Sequence, residues 1–191
     1  MARPCRGACG QASQGGSAHV TRVGVPNARV LPVPDGDYSE VAAELIRSAY
    51  RRCLCSLFIV DISPVNDHDL RVSTLLDHLA RGTWYGADVR LLIGGSHSNI
   101  AIAEASYAAL GVAKTLGIAT RWLSAQPRRG SHIKLVVVDD RLLLGSHNWS
   151  GGALGGQQRQ DSLLIMSADL AEYYSALFDE QWNRAGRDVL S

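Results

Sequence analysis

Apolar and polar residues follow two periods along this chain, and the two periods alternate. Short apolar runs bounded by turn residues are typical of buried strands, and they occur at 30–33, 53–62, 87–93, 118–122, 132–138, 141–146 and 161–166. Segments with apolar residues at helical spacing predict helices, and they occur at 38–52, 69–81, 99–116 and 168–184. The alternation predicts an α/β domain in which helices cover both faces of a mixed, largely buried sheet.

The first two helices also have predicted inward faces. In helix 38–52 the inward residues are Val41, Leu45 and Ile46. In helix 69–81 they are Leu70, Leu75, Leu76 and Leu79, and Gly82 is expected to end that helix. A glycine-rich stretch at 151–156 is expected to be a loop.

The length of 191 residues suits one domain. Residues 1–27 are rich in Gly, Ser, Ala and Arg without periodicity, so we expect a flexible arm there and the domain at 28–191. No apolar run is long enough for a membrane span, and the N-terminus lacks the apolar core of a secretory signal. We therefore expect a cytoplasmic protein without stable membrane association.

Net charge is only +1, which gives no global electrostatic reason for binding nucleic acid. The first thirty residues nevertheless contain arginines and no acid, so the arm is basic. It can contact phosphates, or it is simply a solvated tail.

Four cysteines occur as two close pairs. Cys53 and Cys55 lie in an apolar strand and face the same side, which favours two core thiols. Cys5 and Cys9 lie in the arm. A zinc site built from both pairs is conceivable, but its spacings match no familiar pattern.

His132 and Lys134 are the first candidates for chemistry. They lie two residues apart in a predicted strand, so their side chains project from one face, about 6 to 7 Å apart along the backbone. An unpaired lysine is costly to bury, which indicates a cleft. Lys134 is one of only two lysines in the chain, and a compact ammonium suits a phosphoryl oxygen.

The next predicted strand ends in Gly145, Ser146, His147 and Asn148. Each of these residues alone is an ordinary strand terminus or turn cap. Together with His132 and Lys134 they place a base or nucleophile, a cation, a hydroxyl and an amide in one hairpin. Such a set suits the stabilisation of an anionic phosphate transition state.

This hairpin resembles the phospholipase D superfamily, whose signature is HxKxxxxD followed by GSxN. His132, Lys134 and Asp139 match the first part, whereas Gly145, Ser146 and Asn148 match the second. The resemblance extends loosely over 28–187 and implies a phospholipase D-like fold. Asp139 and Gly145 are separated by one residue fewer than is usual in the family, so the turn must be tightened or bulged.

The resemblance also implies roles. His132 would attack phosphorus to form a phosphohistidine, while Lys134 and Asn148 would bind nonbridging oxygens. Ser146 and Asp161 would orient the imidazoles, and Asp139 completes the motif with a less certain role. No metal or other cofactor is implied.

The mechanism needs two histidines, whereas this chain has one motif, which implies a homodimer with His132 of both copies at the axis. His147 is expected to point to the opposite strand face. Small single-motif members resemble nucleases, which implies DNA or RNA as the substrate and little sequence discrimination.

Three questions stay open at this stage. Arg128 and Arg129 either contact substrate phosphates or lie in a solvated loop. A phospholipase or phosphatidyl transferase is the first alternative activity. An inactive nucleic-acid-binding subunit is the second, and the shortened hairpin keeps it open.

Overall fold

The computed structural model describes residues 25, 27–94, 99–123 and 131–185. Within these residues a single mixed sheet has the strand order β1-β7-β6-β5-β2-β3-β4. Its strands are β1 (Arg29–Pro34), β2 (Arg52–Leu57), β3 (Asp88–Ile93), β4 (Ala119–Trp122), β5 (Leu135–Val138), β6 (Arg141–Gly145) and β7 (Asp161–Met166). The helices are α1 (Tyr38–Arg47), α2 (Arg71–Trp84), α3 (Ile100–Thr115), α4 (Gly151–Leu154) and α5 (Ala168–Arg184).

The sheet has a parallel half and an antiparallel half. Strands β2, β3 and β4 run parallel, whereas β5, β6, β7 and β1 continue from β2 in antiparallel pairs. The end of β2 therefore lies beside the start of β5, the end of β6 and the start of β7. We call this end of the sheet the carboxyl edge.

Helices cover both faces of the sheet, as predicted. Residues of α1, α2 and α3 share a core with Val136 and Val138, whereas α5 packs over Leu135 and Val137. Successive residues of a strand face opposite sides, so all four β5 residues are buried. A strand buried on both faces reads as a continuous apolar run, which is what the sequence contains.

Helix α1 is shorter than predicted, because it ends at Arg47 rather than at residue 52. The carboxylate of Asp139 accepts hydrogen bonds from the backbone N–H groups of Tyr50, Arg51 and Arg52 at 3.1, 3.0 and 3.0 Å. These N–H groups are thus turned toward the sheet and are not free to continue a helix.

Helix α2 begins and ends later than predicted, and two expectations about it are wrong. The Asp67 carboxylate binds the N–H groups of Val72 and Ser73, which places the start after Leu70. Leu70 has a left-handed backbone and is 62% exposed, so it does not face inward. Gly82 does not end the helix; a Cβ there would lie 3.1 Å from Val89 Cγ2, so its small size permits close packing on β3.

The turn between β5 and β6 explains the shortened motif. Val138 pairs with Arg141, so the turn contains only Asp139 and Asp140. Asp139 adopts φ 53°, a left-handed conformation that aspartate tolerates better than most residues. The turn is therefore tightened, which was one of the two expected solutions.

The prediction of a glycine-rich loop is partly wrong, whereas the prediction of two core thiols is confirmed. Part of the predicted glycine-rich loop forms the short helix α4, where a Cβ on Gly151 would lie 1.2 Å from the Asn66 carbonyl oxygen. Cys53 and Cys55 are both buried thiols, as predicted, with their Sγ atoms 4.0 Å apart. Cys5, Cys9 and most of the predicted arm lie outside the described residues.

Candidate active site

Strand β5 begins at Leu135 rather than at residue 132 as predicted, so His132 and Lys134 lie in the segment directly before it, at the carboxyl edge, where they are in contact. Lys134 Nζ lies 2.8 Å from Nδ1 and 3.0 Å from Nε2 of His132, and 2.9 Å from the His132 carbonyl oxygen. An ammonium donates only to an unprotonated ring nitrogen. A neutral imidazole has one such nitrogen, so the contact requires a neutral ring and is a hydrogen bond to only one of the two nitrogens.

The Lys134 ammonium is held in an unusual environment. The residue is only 4% exposed, and among the described residues no carboxylate forms an ion pair with it. Its Nζ lies 5.1 Å from the centre of the Phe58 ring, which supplies a weak cation–π attraction. Burial lowers the pKa of Lys134 to about 8, so the amine is still mostly protonated at pH 7.

His132 is kept neutral by the same surroundings. Burial and the charge of Lys134 both lower the pKa of His132 below its usual value of 6.5. The ring also packs against Phe58, with centroids 4.5 Å apart. A neutral imidazole has a lone pair for attack on phosphorus, which suits the predicted nucleophile.

Sequence reasoning missed Phe58, which contacts both reactive side chains. Ser56 of β2 pairs with Leu135 of β5, and continuing this register by two residues brings Phe58 to the start of β5. The apolar run at 53–62 predicted a strand. Only the pairing of β2 with β5 could have indicated which residue of that run meets His132.

The GSxN segment reaches the same edge from β6. The Gly145 N–H donates to the Lys134 carbonyl oxygen at 3.3 Å. A Cβ on Gly145 would lie 2.1 Å from Ser162 Oγ and 2.4 Å from the Asp161 carbonyl oxygen, so glycine is required for close contact with β7. Ser146 Oγ accepts a hydrogen bond from the Asp161 N–H at 3.0 Å, which ties the segment to β7.

Trp149, the residue after Asn148, is hydrogen-bonded to the segment that follows Phe58. The Trp149 N–H donates to the Ile59 carbonyl oxygen at 3.1 Å, and the Asp61 N–H donates to the Trp149 carbonyl oxygen at 2.8 Å. The segment after β6 thus crosses to the end of β2. Asn148 Oδ1 is buried and has no hydrogen-bond partner in the described part of the chain.

His147 is buried away from solvent, and its ring makes contacts unlike those of His132. Its Nδ1 lies 2.8 Å from Ser162 Oγ, and its ring stacks on Tyr38 with centroids 4.2 Å apart. Burial lowers the pKa of His147, while Asp35 and Asp161 act in the opposite direction. These contacts indicate that His147 has a structural role.

Three residues predicted for the site have other positions or partners, and the first is Ser146, whose hydroxyl bonds the Asp161 backbone and no imidazole among the described residues. Asp139 is at the opposite end of β5, where three backbone N–H groups occupy its carboxylate, so the structure does not bring it to His132. Asp161 lies at the carboxyl edge, but its side chain is exposed and forms no hydrogen bond with His132 among the described residues. Arg128 and Arg129 lie outside the described residues.

Two kinds of feature, a metal-binding cluster and a membrane-spanning helix, are absent from the described residues. These residues contain no cluster of three or more His, Cys, Asp or Glu side chains arranged for a metal ion. None of their helices is both long enough and apolar enough to cross a membrane.

Comparison with solved structures supports the fold. Nuc of Salmonella typhimurium, described as a phospholipase D family member, is 23% identical with a TM-score of 0.67, covering 86% of this chain and 99% of that one. NucT of Helicobacter pylori is 13% identical with a TM-score of 0.58, covering 83% and 98%. Phosphatidylserine synthase of Haemophilus influenzae is 16% identical with a TM-score of 0.60, covering 80% of this chain and 36% of that one.

Comparisons with curated proteins and with protein-family models gave different results. A search of curated proteins found no match. A family model described as "Cardiolipin synthase, PLD-like domain" matches residues 43–182, which is most of the chain. This match, together with the fold, supports a phosphodiesterase activity. The chain therefore belongs to the phospholipase D superfamily.

Proposed function

We propose that this protein is a metal-independent nuclease of low sequence specificity that acts as a homodimer through a phosphohistidine. One observation carries the proposal: the buried Lys134 ammonium contacts the His132 imidazole and, in the described residues, has no carboxylate to neutralise it. Burying an unpaired charge is costly. A phosphodiester at this position would supply the missing negative charge and would free the imidazole lone pair from the ammonium.

The proposed reaction has two steps. In the first, a ring nitrogen of His132 attacks phosphorus, the bond from phosphorus to the leaving oxygen breaks, and a second histidine protonates that oxygen. In the second, this histidine removes a proton from water as the water oxygen attacks phosphorus and the P–N bond breaks. Lys134 and the Asn148 amide would hold the nonbridging oxygens, where negative charge is stabilised in the transition state.

The second histidine is proposed to be His132 of another copy. Within the described residues His147 is the nearest alternative along the chain, but it is 0% exposed and bound to Ser162. A twofold axis at the carboxyl edge would bring two identical imidazoles to one phosphate. One would act as nucleophile and the other as acid and base, because a histidine changes charge near neutral pH.

Lipid chemistry is the second candidate. It is favoured by the description of the matched family model and by the fold likeness to a phosphatidylserine synthase. Nucleic acid remains our preferred substrate because the chain carries a single motif, as the small nucleases of the family do, and because it spans 99% of Nuc and 98% of NucT but only 36% of the phosphatidylserine synthase.

The test uses three labelled substrates in EDTA: single-stranded DNA, RNA and phospholipid vesicles. We expect turnover of nucleic acid and loss of that turnover in His132→Ala. We expect no loss in His68→Ala, since His68 is an exposed histidine outside the motif. Dimerisation, measured by light scattering, is expected in all three proteins.

Each other outcome contradicts a defined part of the proposal. Activity that disappears in EDTA contradicts the metal-independent chemistry. Lipid hydrolysis without nucleic acid cleavage supports the second candidate. Nucleic acid affinity without turnover supports a binding subunit.

A further inference from the structure

A cavity of about 310 Å³ opens beside the reactive pair. His132 and Lys134 border it on one side, and helix α5 borders it on the other. At about 30 Å³ per water molecule, this space would hold on the order of ten waters, which is the size of one small ring system. It lies at the lower limit of pockets that bind small molecules.

The wall of the cavity combines aromatic and aliphatic side chains. Tyr174 and Phe178 come from consecutive turns of α5, since residues four apart lie on one helix face. Opposite them are aliphatic side chains of β5, of β6 and of the segment before β5, namely Leu135, Leu144 and Ile133. Phe178 is 1% exposed and its ring stacks on Trp182, so Tyr174 supplies the aromatic surface for a flat ligand, which would contact aliphatic groups on its other side.

Two polar side chains, Ser56 and Gln181, also line the cavity. Their oxygens are 3.4 Å apart, which is long for a hydrogen bond of a hydroxyl group. Each therefore retains capacity to bond a ligand. The Gln181 amide carries both donors and an acceptor, so it can match the mixed donor and acceptor edge of a heterocycle.

We propose that this cavity binds the nucleobase attached to the sugar next to the scissile phosphate, an inference that rests on the proposed nuclease function. Aromatic walls stack with any base, which is compatible with low sequence specificity. An acyl chain would contact the apolar part of the cavity but would offer no hydrogen bond to Ser56 or Gln181, whose bond to each other is long.

The proposal has a consequence for the form of the substrate. A base inside a duplex is stacked and paired, and it must leave the helix to enter a pocket. Base binding beside the phosphate therefore favours single-stranded or locally unpaired nucleic acid.

The test measures binding rather than turnover. Calorimetry compares four nucleoside 5′-monophosphates with ribose 5-phosphate, which has the phosphate and sugar but no base. We expect at least about tenfold tighter binding for the best nucleotide, which corresponds to about 1.4 kcal/mol. Equal affinity with and without the base overturns the proposal, as does tighter binding of dihexanoyl phosphatidic acid than of any nucleotide.

Variants locate the effect in the cavity. Leu144→Phe places a ring inside it and is expected to remove the advantage of nucleotide over ribose phosphate. Gln181→Leu is expected to change the order of affinity among the four bases. Asn183→Leu is the matched control, since Asn183 is an exposed amide on the same helix, and it should bind as the unaltered protein does.

The experiments can reject the cavity assignment and the nuclease function independently of each other. Base-dependent binding without cleavage of any nucleic acid keeps the cavity assignment and rejects the nuclease. Cleavage of nucleic acid with no base-dependent binding, or with unchanged binding in Leu144→Phe, rejects the cavity assignment and keeps the nuclease.

Discussion

Replacing Asp139 separates a structural role from a catalytic one. Its carboxylate accepts three backbone N–H groups from residues 50–52, and it is 1% exposed. Hydrogen bonds to a charged acceptor contribute about 1.5–3 kcal/mol each, and neighbouring bonds are not additive. The Arg51 guanidinium at 3.8 Å is mostly exposed and adds little. We expect Asp139→Ala to lower the free energy of unfolding by about 3–5 kcal/mol.

Two further variants divide this loss into its causes. Asn keeps one acceptor oxygen and tolerates the left-handed backbone of φ 53°, so Asp139→Asn should cost about 1–2 kcal/mol. Gly accommodates that backbone but has no acceptor, so Asp139→Gly should fall between Asn and Ala. At about 2–4 °C per kcal/mol, Asp139→Ala should melt roughly 10 °C lower.

The assay combines urea unfolding with turnover per folded molecule. Folded Asp139→Asn is expected to retain phosphodiesterase activity within about twofold, since the residue lies at the opposite end of β5 from His132. A normal unfolding free energy with activity reduced about a thousandfold would refute this account of Asp139 and would return it to the catalytic residues.

Three other predictions follow from the motif. The rate at low substrate should decrease as pH rises through about 8, where Lys134 loses its proton, and Lys134→Arg should move that alkaline limit upward if activity persists. The folded pKa of Lys134 lies below its unfolded value near 10.4, so the free energy of unfolding should rise with pH between about 8 and 10, and this rise should be absent in Lys134→Met. Gly145→Ala should destabilise by several kcal/mol, roughly 3 or more, because its Cβ would overlap Ser162, whereas Gly111→Ala, with open space in α3, should stabilise by about 0.5–1 kcal/mol.

The sequence predicted the order of elements because local patterns determine them. Helix α5 and strand β7 occur at the predicted bounds, where periodicity and flanking turns agree. The predicted end of α1 and the predicted start of α2 were wrong because carboxylates outside these helices, those of Asp139 and Asp67, determine them. Asp139 fixes the N–H groups after α1 from across the sheet, and no local pattern near residue 50 indicates that contact.

The site was predictable to the extent that it lies in one hairpin. His132 and Lys134 are two residues apart, so the local sequence predicted that they are neighbours, although they contact each other in the segment before β5 and not within a strand. Phe58, directly after β2, contacts the His132 ring, and Gln181 of α5 lines the cavity beside His132. Only the tertiary arrangement brings either residue to the hairpin. Asp139 matches the motif but lies at the other end of β5 from His132, because a sequence motif does not distinguish the two ends of a strand.

Trapping a phosphoenzyme tests the central claim most directly. Substrate carrying labelled phosphorus is mixed with the protein in EDTA and quenched in alkali, where phosphohistidine survives, and peptides are identified by mass spectrometry. The account predicts a phosphorus adduct on His132 that forms and decays within turnover and is absent from His132→Asn. Turnover with no adduct on His132, or an adduct on His147, would contradict it.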